Sequence, residues 1–319
     1  MSAEPMIFAL PSKGRLKEQC EAFLASCGFR LDMVGGDRGY RARLDGLPGA
    51  EVWLLSASDI AQVLDAGEVH LGVTGEDLLR ERAGQVDERV MLLRALGFGR
   101  ADLVVAAPKS WIDVSVMADI EEVAHQYLAR NGRRLRVATK YVTQTRRFFD
   151  AQGIADYRIV ESSGATEGAP AAGVAELVVD ITTTGATLVA NNLKILRDGV
   201  ILRSQAHLAA SLRAAWSVGH MDTVTRLLSA LEAKAAGRAL CALSWPGDQD
   251  AQAVHVLSDF IPNGVARHTD GVLIAEKDLF SATRALAAAK IGPVSVTRPD
   301  YVFQASCPAA EALQARLGL

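Results

Sequence analysis

The segment Glu167–Leu188 constrains the fold more than any other part of this chain. It reads EGAPAAGVAELVVDITTTGATL, in which the apolar run 177–179 is typical of a buried strand, and Asp180 stands at the carboxyl end of that run. A Thr/Gly loop and a helix start come next. This order predicts a strand, a loop and a helix whose first backbone N–H groups and threonine hydroxyls bind an anion such as a sugar phosphate.

The loop supplies the candidate phosphate-binding residues, which are Thr182, Thr183, Thr184, Gly185, Ala186 and Thr187. A phosphate would repel Asp180, so we expect its carboxylate to accept hydrogen bonds from sugar hydroxyls beside the loop. Glu167 is a further candidate, although a surface helix position explains it equally well. A plain turn and a capped helix also explain the junction, because many α/β folds end strands in this way.

Short apolar runs alternate with amphipathic stretches up to about residue 204, which favours mostly parallel sheets with helical crossovers. Asp198–Gly199 lies between two apolar runs and predicts a hairpin over 193–204. A long helix is expected over roughly 206–235. Residues 238–319 read as three strands, a helix and a final strand, with AVHVLS as the second strand, which indicates a small α+β module.

Composition disfavours several classes of protein. The formal net charge of -3 argues against a nucleic-acid binder. The four cysteines have no metal-finger spacing and the six histidines no HExxH spacing, which disfavours a zinc enzyme. The longest stretch without a charge, 181–193, is too short for a membrane span, and the first residues do not read as a secretory signal. We therefore expect a soluble, cytoplasmic protein.

Other strand ends carry further candidate binding residues, namely Lys13, Gly14, Arg15, Gly75, Glu76, Asp77 and Arg100. The first three follow the first strand, where open α/β sheets bind ligands and where a guanidinium fork suits a polyphosphate. Gly75 allows close backbone approach to a ligand. By themselves, the first two groups are more commonly a solvated basic turn and a Thr-capped helix start. A hairpin with a glycine-rich turn explains Arg100 equally well.

With these residues in order, the chain resembles the ATP phosphoribosyltransferase family, which catalyses the first step of histidine biosynthesis. The family pattern of the Glu167–Leu188 segment is matched at Glu167, Gly173, Ala175, Val178, Asp180, Ile181, Thr184, Gly185, Thr187 and Leu188. PSKGRL, DIAQVLDAGEVHLGVTGEDLL, RALGFGRADLVVAAP, RVATKYV and the pair Asn192–Leu193 resemble further family elements in the same order. The resemblance covers residues 6–204, and the length beyond 218 matches the long form, which has a C-terminal regulatory domain.

The resemblance implies an α/β fold with a two-lobed, periplasmic-binding-protein-like (type II) catalytic core and a small ferredoxin-like α+β regulatory domain. Residues 1–107 and 190–218 would form lobe I, and 108–189 would form lobe II with the loop for phosphoribosyl pyrophosphate (PRPP). Residues 219–319 would form a connecting helix and the regulatory domain.

The implied reaction joins N1 of ATP to the ribose of PRPP and releases pyrophosphate. The implied catalytic residues are Glu167, Asp180 and Arg15; those for PRPP are Asp180, Thr182, Thr183, Thr184, Gly185, Ala186 and Thr187; those for ATP are Lys13, Gly14, Arg15, Gly75, Glu76, Asp77 and Arg100. The chain departs from the family at Ser56, near which an arginine is usual. Another phosphoribosyltransferase and a catalytically silent nucleotide or phosphosugar sensor of the same fold are the alternatives.

Mg²⁺ is the implied cofactor, held mainly by substrate oxygens. Histidine is the implied inhibitor, at a site within 238–319 for which Thr269 and Asp270 are candidates. The family also implies a homo-oligomer, from dimer to hexamer. No nucleic-acid or membrane partner is expected.

Overall fold

A computed structural model describes residues 4–34, 39–82, 86–162, 164–261 and 271–319. The chain divides into two compact units. The first consists of Met1–Ala22, Leu31–Leu44 and Ala50–Trp216, and the second of Phe23–Arg30, Asp45–Gly49 and Ser217–Leu319.

The described strands are, in chain order, β1 (Met6–Pro11), β2 (Arg30–Met33), β3 (Arg41–Asp45), β4 (Ala50–Leu55), β5 (Leu71–Gly75), β6 (Val90–Ala95), β7 (Ala101–Pro108), β8 (Leu135–Thr139), β9 (Tyr157–Glu161), β10 (Leu177–Thr182), β11 (Leu193–Ser204), β12 (Ala206–Ser211), β13 (Leu240–Ser244), β14 (Gly271–Ala275) and β15 (Ser295–Thr297). The described α-helices are α1 (Gly14–Ser26), α2 (Ala57–Ala66), α3 (Glu76–Arg82), α4 (Val86–Arg89), α5 (Met117–Asn131), α6 (Val142–Ala151), α7 (Ala186–Ala190), α8 (Val218–Ala239), α9 (Asp250–Val256), α10 (Leu279–Ala288) and α11 (Pro308–Leu317).

The first unit contains two mixed sheets, in the orders β2-β3-β4-β1-β5-β12-β6 and β11-β7-β10-β8-β9. Parallel pairing holds for β1 with β4 and β5, and for β8 with β9 and β10. Strands β7, β11 and β12 instead run antiparallel to their neighbours. The expected parallel arrangement is therefore present only around β1 and β8.

Each sheet has its own apolar core. Ile60, Leu64 and Leu79 pack α2 and α3 against the seven-stranded sheet. Ile120 and Phe149 belong to a second cluster, which packs α5 and α6 against the five-stranded sheet.

The chain crosses between the two sheets twice, through residues 96–100 and through Gln205. The two crossing segments are hydrogen-bonded to each other. The N–H of Leu96 donates to the carbonyl of Ala206 at 2.9 Å, and the N–H of Ala206 donates to the carbonyl of Phe98 at 3.0 Å. Two mixed lobes joined by a double crossing form the predicted type II periplasmic-binding-protein-like core, so the fold class is confirmed.

The chain passes from one sheet to the other at positions that differ from the predicted lobe boundaries. Residues 101–107 and 193–204 were assigned to lobe I, whereas β7 and β11 lie in the five-stranded sheet, between the crossing segments. The reason is pairing: β11 and β10 flank β7 on either side. An apolar run predicts a strand but does not say which sheet the strand joins.

Two local predictions are wrong. Instead of turning at Asp198–Gly199, β11 continues as one strand with register shifts against β7. The carboxylate of Asp198 accepts from the N–H of Met117 at 2.8 Å, and a Cβ at Gly199 would lie 2.8 Å from the Cβ of Leu196, so the pair forms a tightly packed bulge. Residues 206–211 form a buried strand, and the long helix begins only at Val218.

In the second unit, β14, β13 and β15 form a small sheet, and α9 and α10 share its apolar core. This is the predicted small α+β module, with two differences. AVHVLS lies mostly in helix α9, and α11 was not predicted. The histidine-site candidates Thr269 and Asp270 lie outside the described residues.

In the described part of the chain, we find no helix long and apolar enough to cross a membrane.

Candidate active site

The predicted order of strand, loop and helix is present at Asp180. This residue is half-buried in β10, and its Oδ1 accepts from the N–H of Ile181 at 2.8 Å. The loop after β10 closes when Thr182 Oγ1 accepts from the N–H of Gly185 at 2.8 Å. Gly185 has a φ of 75°, in the left-handed region that glycine adopts without strain, and α7 begins directly after it.

The loop between β10 and α7, together with the first turn of α7, exposes the hydroxyl-bearing residues Thr183, Thr184 and Thr187. The N–H of Ala186 donates to Thr184 Oγ1 at 3.4 Å, which is long for such a bond, so a charged phosphate oxygen would be the better acceptor. Thr183 Oγ1 donates to the carbonyl of Arg100 at 3.4 Å. The structure therefore brings the Arg100 segment to the loop.

The two predicted catalytic carboxylates lie within electrostatic reach of each other. Burial raises the pKa of Asp180 and Glu167 raises it further, while the N–H of Ile181 and the ammonium of Lys140 act in the opposite direction. A pair of carboxylates this close to each other can accept from sugar hydroxyls and stabilise positive charge on a ribose. Their individual roles stay predictions.

Sequence reasoning missed Lys140 and Tyr141 as site residues. They follow β8, which is parallel to β10, with Thr139 opposite Val179, so they emerge at the same sheet edge as Asp180. The Lys140 ammonium lies 5.0 Å from the centre of the Tyr141 ring. The RVATKYV match to the family contains both residues and was the available signal.

Asp77 is buried, and both of its carboxylate oxygens are engaged by the protein. The hydroxyl of Tyr141 donates to Oδ2 at 2.7 Å, and that of Ser204 donates to Oδ1 at 2.7 Å. Burial, followed by the charge of Asp77, raises the pKa of Tyr141, which therefore stays protonated and keeps donating. The predicted contact of Asp77 with ATP is untested, and this geometry favours a positioning role.

The Asp77 contacts link α3 to residues of the five-stranded sheet, and a second set of hydrogen bonds makes a similar link. Glu81, on α3, accepts from the N–H groups of Thr143 at 2.8 Å and Gln144 at 3.1 Å, in the first turn of α6. The side chain of Gln144 in turn donates to the carbonyl of Asp77 at 2.9 Å. We call Asp77, Glu81, Tyr141, Gln144 and Ser204 the lobe-bridging network, because it joins α3 to the five-stranded sheet.

Gly75 has a steric role in this network. A Cβ there would clash with Asp77 Oδ1. We expect Gly75→Ala to displace the carboxylate and to lower the free energy of unfolding by about 1–3 kcal/mol, since buried hydroxyls lose their acceptor. Urea denaturation measures the change. Gly247→Ala is the control, because a Cβ there meets nothing within 4 Å. Equal stability of the two variants would contradict the steric role.

Among the other residues predicted to bind ATP, Glu76 is paired within the protein, whereas Lys13 and Arg15 are exposed. Glu76 Oε1 accepts from the Nε of Arg80 at 2.6 Å, and its Oε2 lies 3.8 Å from His207 Nδ1. Lys13 and Arg15 are exposed at the start of α1, and within the described chain neither has an ion-pair partner. The structure thus leaves both cations available to a ligand but does not bring them into contact with the loop after β10.

Ser56, where the chain departs from the family, caps α2. Its hydroxyl accepts from the N–H of Asp59 at 3.2 Å and donates to Asp59 Oδ2 at 2.6 Å. The serine serves the helix, so this position supplies no cation to the site.

Among the described residues, no group of three or more His, Cys, Asp or Glu side chains is arranged to hold a metal ion. A divalent cation at Asp180 and Glu167 would therefore need oxygen ligands from the substrate. Such a site fits Mg²⁺, which commonly takes one or two carboxylates together with substrate phosphates and water.

Comparison with known proteins identifies the family. The sequence model of the family described as HisG, ATP phosphoribosyltransferase, matches residues 56–233. The ATP phosphoribosyltransferase of Caulobacter vibrioides (strain NA1000 / CB15N) is 64% identical over 317 residues, which cover 98% of this chain and 99% of that protein. The enzyme of the same name from Afipia carboxidovorans is 46% identical over 322 residues, which cover 98% of this chain and 99% of that protein.

A solved structure agrees with these relatives. The ATP phosphoribosyl transferase (HisG:HisZ) complex from Thermotoga maritima has a TM-score of 0.54 at 25% sequence identity and covers 71% of this chain and 95% of that chain. These relatives define the enzyme class, which is a pentosyltransferase. The chain belongs to the ATP phosphoribosyltransferase family, which performs the first step of histidine biosynthesis. The predicted family and enzyme class are confirmed, and catalysis is favoured over the silent sensor.

Proposed function

We propose that this chain transfers the 5-phosphoribosyl group of PRPP to N1 of ATP, releasing pyrophosphate and forming phosphoribosyl-ATP. The observation that carries the proposal is the position of Asp180 in β10, shortly before the exposed Thr183, Thr184 and Thr187, in a member of this family.

The loop would bind the 5-phosphate of PRPP. Thr184 and Thr187 would donate their hydroxyls, and the long Ala186 N–H contact would give way to a phosphate oxygen. Asp180 and Glu167 would accept from the ribose hydroxyls. Their charge would also stabilise the oxocarbenium-like ribose when the bond to pyrophosphate breaks.

The reaction needs no covalent nucleophile, because N1 of adenine attacks the ribose C1 carbon directly. The work of the protein is to place two anionic substrates in line and to offset charge on the leaving pyrophosphate. Lys13, Arg15 and Arg100 are the predicted cations for the phosphates. Lys140, which follows β8, would be a further cation for them. Glu76 would lie near the adenine. Asp77 would keep α3 in position relative to the five-stranded sheet through its hydrogen bonds.

Mg²⁺ is the proposed cofactor. When bound, it would neutralise charge on pyrophosphate, with substrate oxygens and water as most of its ligands. Asp180 and Glu167 would be its ligands from the protein.

A turnover assay with ATP, PRPP and Mg²⁺ tests the proposal, with phosphoribosyl-ATP and pyrophosphate expected in equal amounts. Pyrophosphate release with free bases but not with ATP would indicate a different phosphoribosyltransferase. Tight binding of both substrates without any product would instead support the silent sensor.

We also propose that the protein is an ATP-binding, allosteric enzyme of the cytoplasm and that histidine inhibits it by feedback. We further propose that it assembles into a homo-oligomer, from dimer to hexamer. The separate α+β core of the second unit supports a regulatory role for 238–319. The solved relative is a complex of HisG with HisZ, which supports assembly in general.

Deleting residues 238–319 is expected to abolish histidine inhibition, because the proposed site lies within them. Initial rates with and without histidine measure the effect, and the full-length chain is the control. Thermal unfolding of the truncated chain checks that the first unit is folded. Full sensitivity in a folded, active truncation would place the histidine site elsewhere.

A further inference from the structure

A basic cavity of about 660 Å³ lies on the first unit. Its lining includes four arginines, one carboxylate and an aromatic ring, which belong to Arg134, Arg146, Arg147, Arg158, Asp150 and Tyr157. This concentration of guanidinium groups contrasts with the formal net charge of -3 on the whole chain.

The cavity lies at the opposite edge of the five-stranded sheet from the candidate active site. Arg134 directly precedes β8, and Arg158 is the second residue of β9. Both strands run parallel to β10, whose carboxyl end carries Asp180. The cavity therefore lies at the amino ends of these strands, and none of its lining residues belongs to the predicted PRPP or ATP site.

A neighbouring cluster shows how this chain neutralises arginines that have a structural role. The carboxylate of Glu176 pairs with Arg133 at 3.2 Å and with Arg136 at 2.7 Å. Although burial alone would raise the pKa of Glu176, hydrogen bonds from Arg136, Arg133 and Tyr127 lower it to about 2. These arginines thus have an internal counter-ion.

The cavity arginines are arranged differently. In the described part of the chain, Arg134, Arg146 and Arg158 have no ion-pair partner, and all three are exposed. A favourable interaction with the helix dipole does not account for Arg146, because it does not lie in the last turn of α6. Three like charges beside one cavity, none with an ion-pair partner in the described part of the chain, point to an anion from outside.

We propose that this cavity binds a small anion that carries two or more phosphate groups, at a site separate from the reaction centre. Guanidinium forks bind phosphate oxygens bidentately, and several of them together favour a multiply charged ligand over a single carboxylate. The volume lies in the range of about 300–1,000 Å³ typical of small-molecule sites. Tyr157 and Ile159 add an apolar wall for the remainder of such a ligand.

The test measures binding of inorganic tripolyphosphate to the full-length chain by equilibrium dialysis. We expect R146E/R158E to lose one bound tripolyphosphate per chain and to keep the kcat and both KM values of the wild type. R30E/R130E is the charge-matched control, since both arginines are exposed and neither lines the cavity. R146Q/R158Q, a milder change, is expected to weaken the same binding by at least tenfold.

Unchanged tripolyphosphate stoichiometry in a folded R146E/R158E variant would overturn the proposal. So would equal loss in R30E/R130E, which would indicate a general charge effect. A drop in oligomer mass with R146E/R158E and no loss of bound tripolyphosphate would make the cavity a protein interface instead, which also contradicts the proposal. Sedimentation of each variant separates these results.

Discussion

Replacing Asp180 with asparagine is expected to lower kcat/KM by about 10- to 100-fold, since a hydrogen bond to a charged group contributes about 1.5–3 kcal/mol. Asparagine keeps the size of the side chain and one carbonyl oxygen for the Ile181 N–H, which now donates to Asp180 at 2.8 Å. What it removes is the negative charge beside the ribose. The loss should therefore fall on transition-state stabilisation, and kcat should fall with it.

The same substitution should leave the free energy of unfolding unchanged or raise it. Burial raises the pKa of Asp180 in the folded state, so the folded protein holds this proton more tightly than the unfolded chain does. Stability then falls as pH rises from the ordinary aspartate pKa through the raised one, and it stays lower above that range. An asparagine at this position carries no such penalty, so Asp180→Asn should gain stability relative to wild type at neutral pH and match it in acid.

Steady-state kinetics and urea denaturation at several pH values test both parts of this prediction. Asp113→Asn is the matched control, because Asp113 is exposed and lies outside the candidate site. A variant with normal kinetics but reduced stability would show that Asp180 is structural. A catalytic carboxylate that lowers the stability of the folded protein should give a different result. Its replacement should reduce activity and raise the free energy of unfolding.

The predictable part of the site is the part encoded locally. The apolar run before Asp180, the threonine loop and Gly185 lie within a few residues of one another, and their order alone predicts the observed strand, loop and helix. Turn chemistry and strand hydrophobicity act over such short distances, so they can be read along the chain.

The lobe-bridging network was not predictable in this way. Asp77 looks from sequence like an acidic residue at a helix start, whereas its partners Tyr141 and Ser204 are 64 and 127 residues away. The same reason explains the hairpin error, since only pairing with β7 shows that β11 continues through Gly199. Long-range pairing decides these features, and a single sequence does not reveal it.

Replacing Thr184 and Thr187 together by alanine is expected to raise the KM for PRPP by about 100-fold, because two hydrogen bonds to a charged phosphate contribute about 1.5 kcal/mol or more each. Both side chains are exposed, so their loss should change the free energy of unfolding little. The KM for ATP should change much less, since the loop is assigned to the 5-phosphate of PRPP. Initial rates with each substrate varied in turn measure both constants.

Two comparisons distinguish phosphate binding from loop folding. Thr182→Ala removes the acceptor of the Gly185 N–H and should lower stability, whereas the double variant leaves that 2.8 Å bond in place. Thr297→Ala, at an exposed position in β15, should change neither KM nor stability. An unchanged KM for PRPP in the double variant would refute the loop assignment. A parallel rise in both KM values would place ATP, rather than PRPP alone, against these threonines.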